Sequence, residues 1–115
     1  MGDEQLWVCD GWAKKFNRPV DGSDTGFGDT PRQVAEFDPP DNVTILGYQK
    51  AVTEKTFRYI RSLSSADLDR ELGGPWTPPP TVGVRLVSIL QDAVIHAGQA
   101  AYIRGLLQGR GWQSY

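Results

Sequence analysis

Asp92 and His96 stand four residues apart, and Gln99 and Tyr102 follow them in the run H-x-G-Q-x-x-Y. On a helix these positions project from one side, because residues at i, i+3 and i+4 overlie one another. Two chemistries suit the pair. A neutral imidazole and a carboxylate can share a divalent metal, with Zn²⁺ or Ni²⁺ the cations to expect. Alternatively, the carboxylate orients the ring. The plain structural alternative is a histidine that makes one satisfied hydrogen bond in the core. A catalytic zinc commonly takes three protein ligands and a structural one four. His96 is the only histidine and Cys9 the only cysteine, so any further ligand has to be Cys9 or a carboxylate.

Other residues offer less. Tyr102 can donate a hydrogen bond into a pocket, or bury its ring and keep its hydroxyl wet. Trp12, Gln99 and Tyr102 are the candidate pocket residues. Cys9 is a nucleophile only if its thiolate is stabilised, and is otherwise a small hydrophobe on an apolar face. The loop from Asp21 to Gly26 imitates the start of a calcium loop, but its twelfth position is Arg32 where glutamate is required. Gly26-Phe27-Gly28 lacks the third glycine and the preceding strand of a dinucleotide-binding turn.

Two long amphipathic helices, near 42–63 and 82–108, must position these groups. Asp41 or Asn42 caps the first, whose stripe of Ile45, Tyr48, Val52, Tyr59, Ile60 and Leu63 follows the 3.6-residue period. Thr81 caps the second, and Gly109 and Gly111 end it. Its Ala97, Gly98, Ala100 and Ala101 leave room for another helix. Shorter helices are expected at 3–16, with Val8, Cys9, Trp12 and Phe16 on one face, and at 31–36, with Thr30 as cap and Pro31 at its first position. Ser65 caps a further turn running to Leu72, and Gly73-Gly74 stops it. Residues 17–41 are otherwise a long irregular connection, 75–80 (PWTPPP) is an extended plug, and no segment reads as a strand.

The chain has 115 residues, which suits one domain with a modest core. Four Trp, four Tyr and four Phe argue against disorder. The net charge is −2 with the basic residues scattered, so nucleic acid is not an expected partner. No run approaches a membrane span, and the acidic start Met1-Gly2-Asp3-Glu4 lacks the regions of a signal peptide. A cytoplasmic protein is expected.

The stretch PWTPPPTVGVRLVSILQDAVIHAGQAAYIRGLLQG resembles the C-terminal part of the DinB/YfiT-like superfamily. EQLWVCDGWAKKF, followed by a proline, an acidic loop and TPRQVAEF, is similar to an actinobacterial branch of it, and together these cover residues 4 to 108. The resemblance implies an all-α, up-and-down bundle of four helices. It also implies a metal-dependent enzyme of the thiol S-transferase kind, acting on a low-molecular-weight thiol and an electrophile. The family's metal usually sits on three histidines, one on the second helix and two forming H-x-x-x-H on the last. His96 matches the later member of that pair, and Asp92 stands where the earlier one belongs.

By the same resemblance the chain starts inside the second helix and corresponds to the C-terminal two-thirds of a family domain. The bundle would then be truncated, with an apolar flank on the two long helices that includes Tyr59, Val87, Val94 and Ile103. Leaving four such side chains wet forfeits about 1.5–3 kcal/mol each. Two remedies exist: the loop 17–41, with Trp7, Trp12, Phe16 and Phe27, folds over the flank, or a homodimer completes the bundle between two chains, and the homodimer is the one expected. In the alternative functional reading, such a dimerising helical module has no catalytic role.

Overall fold

The computed structural model describes residues 4–109, and the protein is all-α. Among the described residues the helices are α1 (Leu6–Cys9), α2 (Trp12–Lys15), α3 (Pro31–Glu36), α4 (Asn42–Ser62), α5 (Ser65–Leu68) and α6 (Val82–Gln108). The chain divides into two compact units, Met1–Ser62 and Leu63–Tyr115.

In the first unit the helix expected at 3–16 is broken into two single turns. Gly11 takes φ +71°, a left-handed conformation in which glycine has no Cβ to clash. The break changes which side chains turn inward. Trp7, Ala13 and Phe16 are buried, with Val8, Trp12 and Tyr48 packed against them. Cys9, expected on the apolar face, is exposed. The rings interlock by edges and tilts: Trp7 lies 5.4 Å from Phe16 and 5.7 Å from Tyr48, and Trp12 lies 5.4 Å from Tyr48. Such pairs contribute beyond their buried area.

Tyr48 is the contribution of α4 to this cluster, and Gly47 makes room beside it. A Cβ at Gly47 would come within 3.1 Å of the Trp12 ring. Lys55 ties the same helix to the start of the chain by donating to the Glu4 carbonyl at 2.7 Å. In the connecting segment, Thr30 and Gln33 form a reciprocal capping box and Pro31 opens α3, as expected. Phe27 is 98% exposed, so it covers no apolar surface.

Asp41 caps α4: its Oδ1 accepts from the Thr44 amide at 2.6 Å. That bond from the Thr44 backbone holds the Asp41 carboxyl below its usual range. A depressed carboxyl contributes stability that is present above its unfolded pKa and lost as pH falls through the folded one. The Thr44 amide resonance should therefore move on acidification below about pH 4, the ordinary carboxylate range. In Asp41→Asn, which keeps an acceptor but does not titrate, it should stay fixed. Identical profiles for the two proteins would contradict this cap.

In the second unit Ser64, not Ser65, is the cap of α5, sharing a reciprocal box with Asp67. The turn ends at Leu68 rather than continuing to Leu72. The backbone beyond it pairs across the chain instead: Val82 N–H donates to the Arg70 carbonyl at 3.0 Å, and Leu72 N–H to the Pro80 carbonyl at 2.8 Å. Glu71 and Thr81 form an isolated antiparallel bridge between them, and among the described residues there is no strand. This clasp closes residues 73–80 into a loop, with Trp76 packed under the Arg85 guanidinium. Val82 is buried at the base, and a Cβ at Gly83 would lie 3.2 Å from the Leu68 carbonyl, so α5 and α6 meet closely there.

From that base α6 runs 27 residues. Thr81 accepts from the Val84 amide at its start, and Gly109 takes φ +72° at its end. Tyr59, Val87, Val94 and Ile103, the side chains expected on an apolar flank, are all exposed. No helix among the described residues is long and apolar enough to cross a membrane.

Candidate functional site

The 3.6-residue turn of α6 brings Asp92, His96 and Gln99 onto one side. His96 Nε2 lies 3.6 Å from Asp92 Oδ2, and its Nδ1 lies 2.9 Å from Gln99 Oε1. Each ring nitrogen thus has a neighbour on the same helix. The group is not a core histidine: the side chains of His96 and Asp92 are 69% and 73% exposed.

The other expected residues lie elsewhere or stand apart. Tyr102 is 70% exposed, so its ring is neither buried nor enclosed by a pocket wall. Trp12 belongs to the aromatic cluster of the first unit. Its Nε1 donates to Asp10 Oδ2 at 3.1 Å, and Lys15 Nζ sits 3.8 Å from its ring centroid. Cys9 Sγ reaches only the Glu4 carbonyl, at 3.8 Å. The sequence reading missed a cleft of about 430 Å³ in the first unit, lined by the 18–33 loop. Arg18 and Asp24 pair across it at 2.9 Å, and no residue expected at the site lines it. A salt bridge six residues apart inside an irregular loop carries no periodic signal, which is why the sequence did not announce it.

The donors can be tested against the metal that the resemblance implies. An imidazole nitrogen and a carboxylate oxygen 3.6 Å apart are close enough to grip one ion. Yet among the described residues no group of three or more His, Cys, Asp or Glu side chains could hold a metal. Two open donors fall short of the three that a catalytic zinc commonly needs. The donors among the described residues therefore do not fit a resident catalytic metal. The purified chain should keep less than stoichiometric Zn²⁺ or Ni²⁺ through gel filtration with a mild chelator, as read by metal analysis. Stoichiometric metal, abolished by His96→Ala, would contradict this.

What the array can do without a metal is move a proton. His96 Nδ1 is within hydrogen-bonding distance of Gln99 Oε1, and its Nε2 stands on the side of Asp92. A proton taken up at Nε2 would then face a carboxylate.

Comparison with known proteins shows the family of the chain. The family model for mycothiol-S-transferase matches residues 3–109. A crystal structure described as the conserved protein of locus from Enterococcus faecalis is 31% identical, with a TM-score of 0.82. The match covers 94% of this chain and 64% of that one, so the chain spans just under two-thirds of that protein's length. No curated protein matches it. With the family model covering nearly the whole chain and an all-helical fold shared with that crystal structure, the protein belongs to the mycothiol-S-transferase family of DinB/YfiT-like helical proteins.

Proposed function

We propose that this chain takes part in thiol S-transfer, joining a low-molecular-weight thiol such as mycothiol to an electrophilic carbon. The observation that carries the reading is the Asp92–His96–Gln99 array on α6, in a chain of this family. The thiolate, not the thiol, is the nucleophile. A free thiol with a pKa near ~8.5 is mostly protonated at neutral pH, so a base beside it speeds the attack.

His96 is that base. Its Nε2 takes the thiol proton, and the resulting imidazolium faces the Asp92 carboxylate. The sulfur forms a bond to the electrophilic carbon, and the bond from that carbon to its leaving group breaks, the leaving group departing with the electron pair. Imidazolium returns its proton to water. The cytoplasm, which keeps thiols reduced, is the compartment that suits this chemistry. The test is thioether formation from mycothiol and an alkyl halide, followed by mass spectrometry with and without the protein. Product above the protein-free rate is expected, and equal rates would end the reading.

A second reading rests on a different observation. Val87, Leu90, Val94, Ile103 and Leu107 of α6 are more than half exposed. A helix apolar on several sides is ordinarily a buried one. In this reading the chain is a helical module that pairs with a second copy to cover that surface. Sedimentation at ~100 μM should then show a dimer, with a melting temperature that rises with concentration. A monomer with a concentration-independent melt would exclude it.

A further inference from the structure

We propose that a second copy of the chain docks along α6 itself: two α6 helices pair antiparallel about a two-fold axis, on the side opposite Asp92, His96 and Gln99. This rests on the reading of the chain as a dimerising module and assigns the surface that the dimer uses. Val87, Leu90 and Val94 are 66%, 64% and 62% exposed. With Ala97, Ala101 and Arg104 they recur at alternating intervals of three and four residues, as the a and d positions of a heptad seam do. Arg104 is the one charged member of that set, and its aliphatic stem can lie along an apolar neighbour. In the same register Asp92, His96 and Gln99 fall at the outer f, c and f positions. The polar array therefore stays uncovered when the seam is closed.

Residue size sets the direction of pairing. Val87, Leu90 and Val94 are large, and Ala97 and Ala101, further along the same seam, are small. In a parallel pair each residue meets its own counterpart, so leucine crowds leucine and alanine faces alanine across a void. In an antiparallel pair centred between residues 95 and 96, Leu90 of each copy lies opposite Ala101 of the other, and Val94 opposite Ala97. Large then fills small along the whole seam, as close packing requires. The area suffices as well. A buried aliphatic side chain removes roughly 60–120 Å² from water, so the seam and its flanking Val84 and Leu107, both more than half exposed, contribute roughly 500 Å² per copy. About 1,000 Å² for the pair reaches the lower bound of a specific interface.

Cysteine pairing reads this arrangement directly. Cys9 is exposed and is the only cysteine, so Cys9→Ser gives a thiol-free background. Into it go Leu90→Cys and Ala101→Cys together. Within one helix these two positions stand about 16 Å apart at 1.5 Å per residue, beyond the ~7 Å that a disulfide spans. Mild oxidation should give a covalent dimer. Cleavage before Asp92 separates the two positions, and mass spectrometry should find residue 90 joined to residue 101. Ser88→Cys with Ile103→Cys occupies the same heights on the side of His96 and should stay monomeric on a non-reducing gel.

In the otherwise wild-type chain, Ala97→Glu buries a charge in the seam and should weaken the dimer by at least ~10-fold in sedimentation, while His96→Ala should leave it intact. Links of 90 to 90 and 101 to 101, no link at all, or equal linking of the control pair would overturn the antiparallel seam. So would a dimer unchanged by Ala97→Glu or dispersed by His96→Ala. A wild-type dimer in sedimentation without the 90–101 link would overturn the seam and leave the dimer reading standing, whereas a wild-type monomer would end both.

Discussion

Replacing Trp7 with alanine should destabilise the first unit by about 3–5 kcal/mol, the usual loss for a large aromatic removed from a core. Trp7 is only 8% exposed and touches both Phe16 and Tyr48. Against a total stability of ~5–15 kcal/mol, that is a large fraction of the whole. The loss is not a property of every change at this site. The buried indole nitrogen of Trp7 makes no hydrogen bond within the protein, so Trp7→Phe removes a polar group that contributes nothing while keeping an aromatic ring. It should cost less than Trp7→Ala, because it leaves the smaller cavity. Urea unfolding followed by circular dichroism measures both. Equal tolerance of the two substitutions would mean that the aromatic cluster does not hold this unit together.

The cluster also marks where sequence reasoning stopped. A continuous helix through 3–16 places Val8, Cys9, Trp12 and Phe16 on one face, and the apolar spacing supports it. The left-handed turn at Gly11 shifts the phase by a conformation that spacing does not encode. Trp7 and Ala13 consequently become core and Cys9 becomes surface. The segment after α5 departs for a related reason. Arg70 and Leu72 give their backbone groups to Val82 and Pro80, partners eight or more residues away, and a local reading of helix propensity has no access to such pairing.

Elements punctuated by side-chain chemistry were legible. Thr30 with Pro31, Asp41 and Thr81 each sit where a cap satisfies an orphan amide, and each accepts the expected hydrogen bond. Residues 92, 96 and 99 were legible as neighbours because helical geometry alone brings them together. The 2.9 Å contact between His96 and Gln99 depends on rotamers. Spacing suggested it without singling it out from Tyr102, which stands exposed.

The second large effect concerns His96 itself. If its Nε2 takes the thiol proton, His96→Ala removes the base and nothing on α6 replaces it, since Gln99 is neutral and a carboxylate is an intrinsically weaker base than an imidazole. General bases contribute ~10²–10⁴-fold, and a ring this open to water belongs at the lower end, so thioether formation should fall by about 10²-fold. The side chain is 69% exposed and packs on little, so the melting temperature should stay within about 3 °C. Asp92→Asn should retain more activity, because it removes the partner of the protonated ring but not the base.

The most direct measurement of the central claim is the initial rate of thioether formation from mycothiol and an alkyl halide, taken for wild-type protein, His96→Ala and a protein-free blank under one condition. The expected outcome is a wild-type rate clearly above the blank that falls by about 10²-fold, or to the blank, in His96→Ala. A wild-type rate equal to the blank, or a His96→Ala rate equal to wild type, would contradict it.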